Sequence, residues 1–177
     1  MTVHDFDEQL AWSHSQADQP WWGDVYQKAF PNLAAMAAVK VNGWAQQGGI
    51  DRVLTLANGR QVTIDEKVRR HDYGDILLER WSDRDRRKPG WVQKELACDF
   101  IAYAFSATGR CYLLPFHTLR MAWRTHGPDW IFNATMGIEG FTLVEAQNRG
   151  YVTQCVAVPT STLLDAMRSV MVIEFTP

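Results

Sequence analysis

The sequence lacks most of the motifs that would reveal a function. It has no G-x-S-x-G, no Walker lysine loop, no G-x-G-x-x-G, no H-E-x-x-H and no C-x-x-C pair. That sets aside the serine-nucleophile elbow, the P-loop phosphate cradle, the dinucleotide fingerprint and the commonest zinc sites. Cysteine is scarce: Cys98, Cys111 and Cys155 are three, an odd number, far apart and set in apolar runs. Buried free thiols are therefore expected, not disulfides or a metal cluster. No apolar run reaches the roughly 18 residues of a membrane span, and the opening M-T-V-H-D-F-D-E has neither the basic nor the apolar region of a signal peptide. The expectation is an intracellular, cytoplasmic protein with no membrane partner, in which the Asn133-Ala134-Thr135 sequon goes unused. A large net charge is also missing. At −2 the chain is no polycation that coats nucleic acid by bulk attraction.

What the sequence does contain is enough apolar material for a core, 46% of 177 residues, and one domain of ordinary size is expected. The charge is segregated. Lys67 to Lys94 holds nine Lys and Arg against five Asp and Glu, a net of +4 that leaves −6 for the rest, and the first twenty residues carry no Lys or Arg. Just before that basic stretch, Ile50 to Ala57 and Gln61 to Val68 are β-rich runs flanking Asn58-Gly59, a dipeptide suited to a type I′ hairpin turn. Alternation puts Val62, Ile64 and Val68 on one face and Thr63, Asp65, Lys67 and Arg69 on the other. Asp51, at the start of the first strand, then lies opposite the neighbourhood of Asp65 to Lys67, so two carboxylates and an ammonium share one surface. Glu66 falls among apolar neighbours and needs a partner there, unless a bulge turns it into a ligand.

An acid on one strand followed by (Asp/Glu)-x-Lys on the next, here Asp51 and Asp65-Glu66-Lys67, resembles the PD-(D/E)XK nuclease superfamily, with Ile50 in place of the proline. T-I-D-E-K-V-R, D-I-L-L-E, G-W-V-Q-K and L-L-P-F, in that order, are similar to phage-borne uncharacterised members. The resemblance covers roughly residues 20 to 115. It implies the restriction-endonuclease-like α/β fold, three-layered with a central mixed sheet flanked by helices and an α-β-β-β-α-β core. The whole of 1–177 is then one nuclease domain, with an arm at 1–19, the core at 20–115 and C-terminal additions at 116–177.

Read in order, Trp21 to Val39 has helical periodicity, with Val25, Phe30, Leu33, Met36 and Val39 as core positions and Pro31 as a break or kink. Asp24, its one carboxylate, either joins a metal site, as the resemblance allows, or stabilises a helix N-terminus. Tyr73 to Ser82 reads as a third strand, with Ile76 to Leu78 buried on both faces and Glu79 either facing the motif or paired with an arginine. The charged loop S-D-R-D-R-R-K-P-G from Ser82 to Gly90 is either a solvated face or a phosphate contact. Trp91 to Ala107 reads as a helix stopped at Gly109, Cys111 to Leu114 as a buried strand, and His117 to Arg124 as a helix ended by His126-Gly-Pro. A hairpin or irregular stretch through Phe141 to Val144, a strand at Tyr151 to Val158, a helix from Thr162 to Ser169 and a strand at Val172 to Phe175 complete the chain.

Carboxylates are natural ligands for Mg²⁺ or Mn²⁺, which neutralises phosphoryl charge and acidifies a bound water. Asp51 and Asp65 are the expected metal ligands, with Glu79 as a third, and Lys67 is expected to act on the attacking water. Arg69, Arg70, Arg84, Arg86, Arg87 and Lys88 are the expected nucleic-acid contacts. The bland alternative for Asp65 and Lys67 is an ordinary strand ion pair. Trp21, Trp22, Trp44, Trp81 and Trp91 either stack on bases or pack the core, and His71, His117 and His126 read as surface or capping residues. The expected function is a metal-dependent nuclease acting on DNA, with oligomeric state open and a homodimer among the options. The alternative is a noncatalytic module of the same fold that binds nucleic acid or a partner protein, such as a phage accessory or inhibitor protein.

Overall fold

The computed structural model describes residues 15, 16, 18–39, 48–168 and 170–177. In chain order the elements are α1 (Trp21–Ala29), β1 (Leu33–Ala38), β2 (Arg52–Leu56), β3 (Gln61–Arg69), β4 (Asp75–Asp83), β5 (Lys88–Pro89), β6 (Phe100–Phe105), β7 (Arg110–Pro115), α2 (Phe116–Met136), β8 (Thr142–Asn148), β9 (Tyr151–Pro159), α3 (Thr160–Met167) and β10 (Met171–Glu174). This is a mixed α/β fold. The described residues gather into two compact units, the first drawn from 15–72, 95–117 and 170–177, the second from 73–94 and 118–168. Residues 20–115 are shared between them.

The first unit is built on a six-stranded sheet ordered β1-β2-β3-β6-β7-β10. All its neighbouring strands are antiparallel except β3 and β6, which run parallel with Ile64 beside Phe100 and Asp65 beside Ile101. One sheet face is apolar because Leu54, Val62, Ile64, Ala102, Ala104, Cys111 and Leu113 alternate onto it. Helix α1 covers that face with Trp21, Trp22, Val25, Tyr26 and Ala29, whose spacing makes one stripe of a 3.6-residue helix. Trp21 stacks on Phe175 with ring centres 4.2 Å apart, and Trp22 stacks on Tyr26 at 5.5 Å. Both tryptophans are core residues, not base platforms, while Trp44 lies outside the described residues.

The second unit holds a four-stranded antiparallel sheet ordered β5-β4-β9-β8, with Ile76, Leu78, Val156 and Val158 fully buried. Helix α2 buries Leu119, Ala122, Trp123, Trp130 and Ala134. It continues through Pro128 to Met136 and does not stop at His126-Gly-Pro. The proline costs a helix about 3 kcal/mol, and a buried stripe on both sides of it outweighs that.

Four further expectations need correction. Helix α1 ends at Ala29, and residues 33–38 form strand β1 opposite β2. Pro31 stops the helix, and the L-A-A-M-A-A segment follows its sheet neighbour over its own helical propensity. Met36 is accordingly 43% exposed and outside the core. Trp91 to Ala107 is not a helix: its second half is β6, buried between β3 and β7. A short run buried on both faces carries no periodicity that separates strand from helix. The strand at residues 75–83 does not join the hairpin, since the neighbours of β3 are β2 and β6. Nor is the hairpin turn type I′, because only Gly59 has positive φ, at 81°. Leu56 N–H donates to the Arg60 carbonyl across a three-residue loop, and Asn58 Oδ1 accepts from Arg60 N–H. The β8–β9 hairpin, α3 and β10 form where the sequence places them, and the three cysteines are free thiols.

Candidate active site

The β2–β3 pairing sets Arg52 opposite Ile64 and Val53 opposite Thr63, so one further step along the register sets Asp51 opposite Asp65. Asp51 is held by its backbone, its N–H donating to Ile64 O and its carbonyl accepting from Val39 N–H, each at 2.8 Å. Its Oδ2 accepts the Glu66 N–H at 2.8 Å, so a side chain takes the place of a ladder carbonyl. The Asp51 and Asp65 carboxyl groups share a hydrogen bond. Lys67, two residues along the same face, donates from Nζ to Asp65 Oδ1 at 2.5 Å. The three residues expected to converge are therefore together.

Asp65 is 2% exposed, and its carboxyl is pushed up to about 7, chiefly by burial and further by the Asp51 charge, with the Lys67 ammonium pulling the other way. Asp65 thus holds its proton to near neutrality. The Lys67 side chain is 32% exposed, so its ammonium reaches water beside the buried Asp65 carboxyl. Cys98, which the motif did not point to, feels both charges. Its thiol is pushed up to about 12, first by burial and then by Asp65, with Lys67 opposing, so it is a protonated wall of the site. Asp99 Oδ2 accepts from Thr63 N–H at 2.8 Å, tying the entry of β6 to β3. The only hint of either in the sequence is the run C-D-F-I-A-Y, whose apolar residues fit a helix as well as the strand they form.

Glu66 finds its partners on the opposite face. Arg52 Nε donates to its Oε1 at 2.5 Å and Nη2 to its Oε2 at 3.2 Å, and Tyr26 O–H donates to Oε1 at 2.7 Å. The Arg52 guanidinium also lies 5.9 Å from the centre of the Tyr26 ring. Burial raises the Glu66 carboxyl above its usual range despite Arg52, and burial, reinforced by Glu66, holds the Tyr26 hydroxyl well above its own. Glu66 is a satisfied core acid, not a ligand of the Asp51–Asp65 pair.

Glu79 belongs to the second unit, where its Oε1 accepts the Trp91 N–H at 3.1 Å. The bulge between Glu79 and Trp81 opposite β9 sets that geometry. Among the described residues no group of three or more His, Cys, Asp or Glu is arranged to hold a metal, so the carboxylate set is Asp51 and Asp65. Asp24 sits in the first turn of α1. The six basic residues divide: Arg69 and Arg70 fall in the first unit and Arg84, Arg86, Arg87 and Lys88 in the second. Arg69 lies over the Phe105 ring at 5.9 Å. Arg84 Nη1 donates to both Glu145 carboxylate oxygens at 2.8 Å and the guanidinium also pairs with Asp85, and Arg86 pairs with Asp83 at 2.7 Å. Arg87 is exposed on the β4–β5 turn, and Lys88 is exposed at the start of β5.

Fold and site together define a class: a mixed α/β protein with two carboxyl groups and an ammonium converging on neighbouring strands of a mixed sheet. Beyond that class, comparison with protein-family models, with curated proteins and with solved structures finds no match. No described helix is long and apolar enough to cross a membrane.

Proposed function

We propose that this chain is a metal-dependent nuclease of the PD-(D/E)XK kind, hydrolysing phosphodiester bonds in DNA. The observation that carries the reading is the convergence of Asp51, Asp65 and Lys67. A carboxyl group buried beside a second one, as Asp65 is beside Asp51, costs stability, and proteins accept that cost mainly at sites. The donor set fits the ion. Two carboxylates with waters and phosphate oxygens are what Mg²⁺ takes at phosphoryl centres, and the proton that Asp65 keeps to about pH 7 is what a cation displaces. Asp51 and Asp65 would hold it, and when bound it supplies charge neutralisation at the phosphoryl oxygens and a more acidic water. Lys67, anchored on Asp65 and open to solvent, orients that water and steadies the developing negative charge. Element order lends further support to a restriction-endonuclease-like core. Helix α1, the antiparallel run β1-β2-β3 and the parallel strand β6 follow an α-β-β-β-x-β pattern, with residues 70–99 in place of the connecting helix.

The test is cleavage of linear, nicked, single-stranded and branched DNA by purified protein with Mg²⁺, Mn²⁺ or EDTA. Cation-dependent cleavage is expected, lost in Lys67→Ala and in Asp65→Asn, with excess Mn²⁺ restoring part of the activity only to Asp65→Asn. Substrates left intact under every condition would overturn the enzyme and leave the noncatalytic binding module.

A further inference from the structure

The second unit has an open cavity of ≈ 320 Å³ that the proposed nuclease chemistry does not use. Its floor is apolar and buried, made by Val92, Trp123 and the helical Gly127. A Cβ at Gly127 would meet the Trp123 ring at 3.1 Å, so a side chain there would push this indole aside. The rim is cationic. Arg120 and Arg124 stand one turn apart on α2, which puts them on one face, and Arg80 lies over the half-buried Trp81 ring at 5.2 Å. None of the described residues lining the cavity is acidic. Three guanidinium groups thus surround one opening over an apolar floor, and burial together with Arg87 disfavours the charged form of Arg80. The arrangement is complemented by an anion with a flat apolar body.

We infer that this cavity binds a nucleoside phosphate, the base against the Trp123 and Trp81 indoles and the phosphate between Arg120 and Arg124. Indoles stack on any base, and guanidinium groups grip phosphate oxygens two at a time. A volume near 320 Å³ is at the lower end for small-molecule sites, which suits a base with its phosphate at the mouth. The inference is independent of the Asp51–Asp65 site, which lies in the other unit. The ligand chemistry has two sources, a free nucleotide or one unit of a single strand.

The experiment is isothermal titration of the full chain with ADP, AMP, adenosine, inorganic phosphate and a single-stranded pentanucleotide. EDTA is present so that no cation-dependent cleavage intervenes. ADP or AMP is expected to bind saturably, at least about tenfold tighter than adenosine or phosphate, since both halves of the site contribute. Arg124→Gln, at an exposed position, and Trp81→Ala should each weaken ADP by about tenfold without changing the melting temperature. A pentanucleotide that competes with ADP identifies the strand as the source, and one that does not identifies the free nucleotide. No saturable nucleotide or pentanucleotide binding, phosphate binding as tight as ADP, or an affinity untouched in a folded Arg124→Gln protein would each overturn the assignment.

Discussion

A carboxyl group that keeps its proton close to neutrality makes stability depend on pH. Asp65 sits at about 7 in the folded protein against an ordinary 3.8. Its contribution is therefore fully favourable below about pH 4 and is lost as pH rises through 7, a difference on the order of 4 kcal/mol. Urea melts of wild type should show stability falling between about pH 4 and pH 7, and Asp65→Asn should flatten that slope. Mg²⁺ should raise the wild-type melting temperature more at pH 8 than at pH 5, because the ion competes with the proton, and should not raise that of Asp65→Asn. The acid on the other face of the same strand behaves differently. Removing Arg52 with alanine leaves Glu66 charged and buried, and should cost about 3–5 kcal/mol in chemical denaturation. Tyr26→Phe removes one hydrogen bond and should cost about 1–2 kcal/mol. A double-mutant cycle between positions 26 and 52 should show coupling, since both groups bond the same carboxylate.

Two glycines with positive φ separate backbone strain from steric closure at the level of the strand and its turn. At Gly59 a Cβ would meet nothing within 4 Å, so Gly59→Ala costs only the left-handed conformation, about 1 kcal/mol. At Gly109, on the β6–β7 turn, a Cβ would fall on the carbonyl oxygen of Phe175, where the chain returns through the Gly109–Phe175 backbone bond at 2.7 Å. Gly109→Ala should therefore cost several times as much as Gly59→Ala, and thermal melts of the two variants decide it. Elements whose apolar residues alternated onto one face, such as β2, β3 and β9, were legible in the sequence, and so was the meeting of Asp51, Asp65 and Lys67, because strand alternation and a short turn leave few registers. What could not be read were segments governed by neighbours remote in sequence. Phe100 to Phe105 is buried on both faces, which erases its period. Leu33 to Ala38 has helix-forming residues but sits at a sheet edge. Glu79 has the right parity on a strand that joins a different sheet. The partners of Glu66 were hidden for the same reason, since Tyr26 lies forty residues away.

For the whole molecule, chemistry and assembly both follow from which segments are enclosed. Cys98 and Cys111 are buried, with thiols raised by that burial, whereas Cys155 is half-buried. A thiol reagent should therefore label Cys155 in the native state and the other two only on unfolding, and mass spectrometry of the labelled peptides checks it. The first unit is assembled from three separate stretches of chain. Its sheet pairs Ile64 with Phe100 and Cys111 with Ile173, and such distant pairings form slowly because long loops must close first. On the ribosome the β2–β3 hairpin emerges early with Asp65 on a strand that still lacks its parallel neighbour. Trp21 then waits for Phe175 before its ring is covered. Until β6 has been made, Asp65 has no strand on its far side, so the nascent protein carries the residues of the site before it has the site.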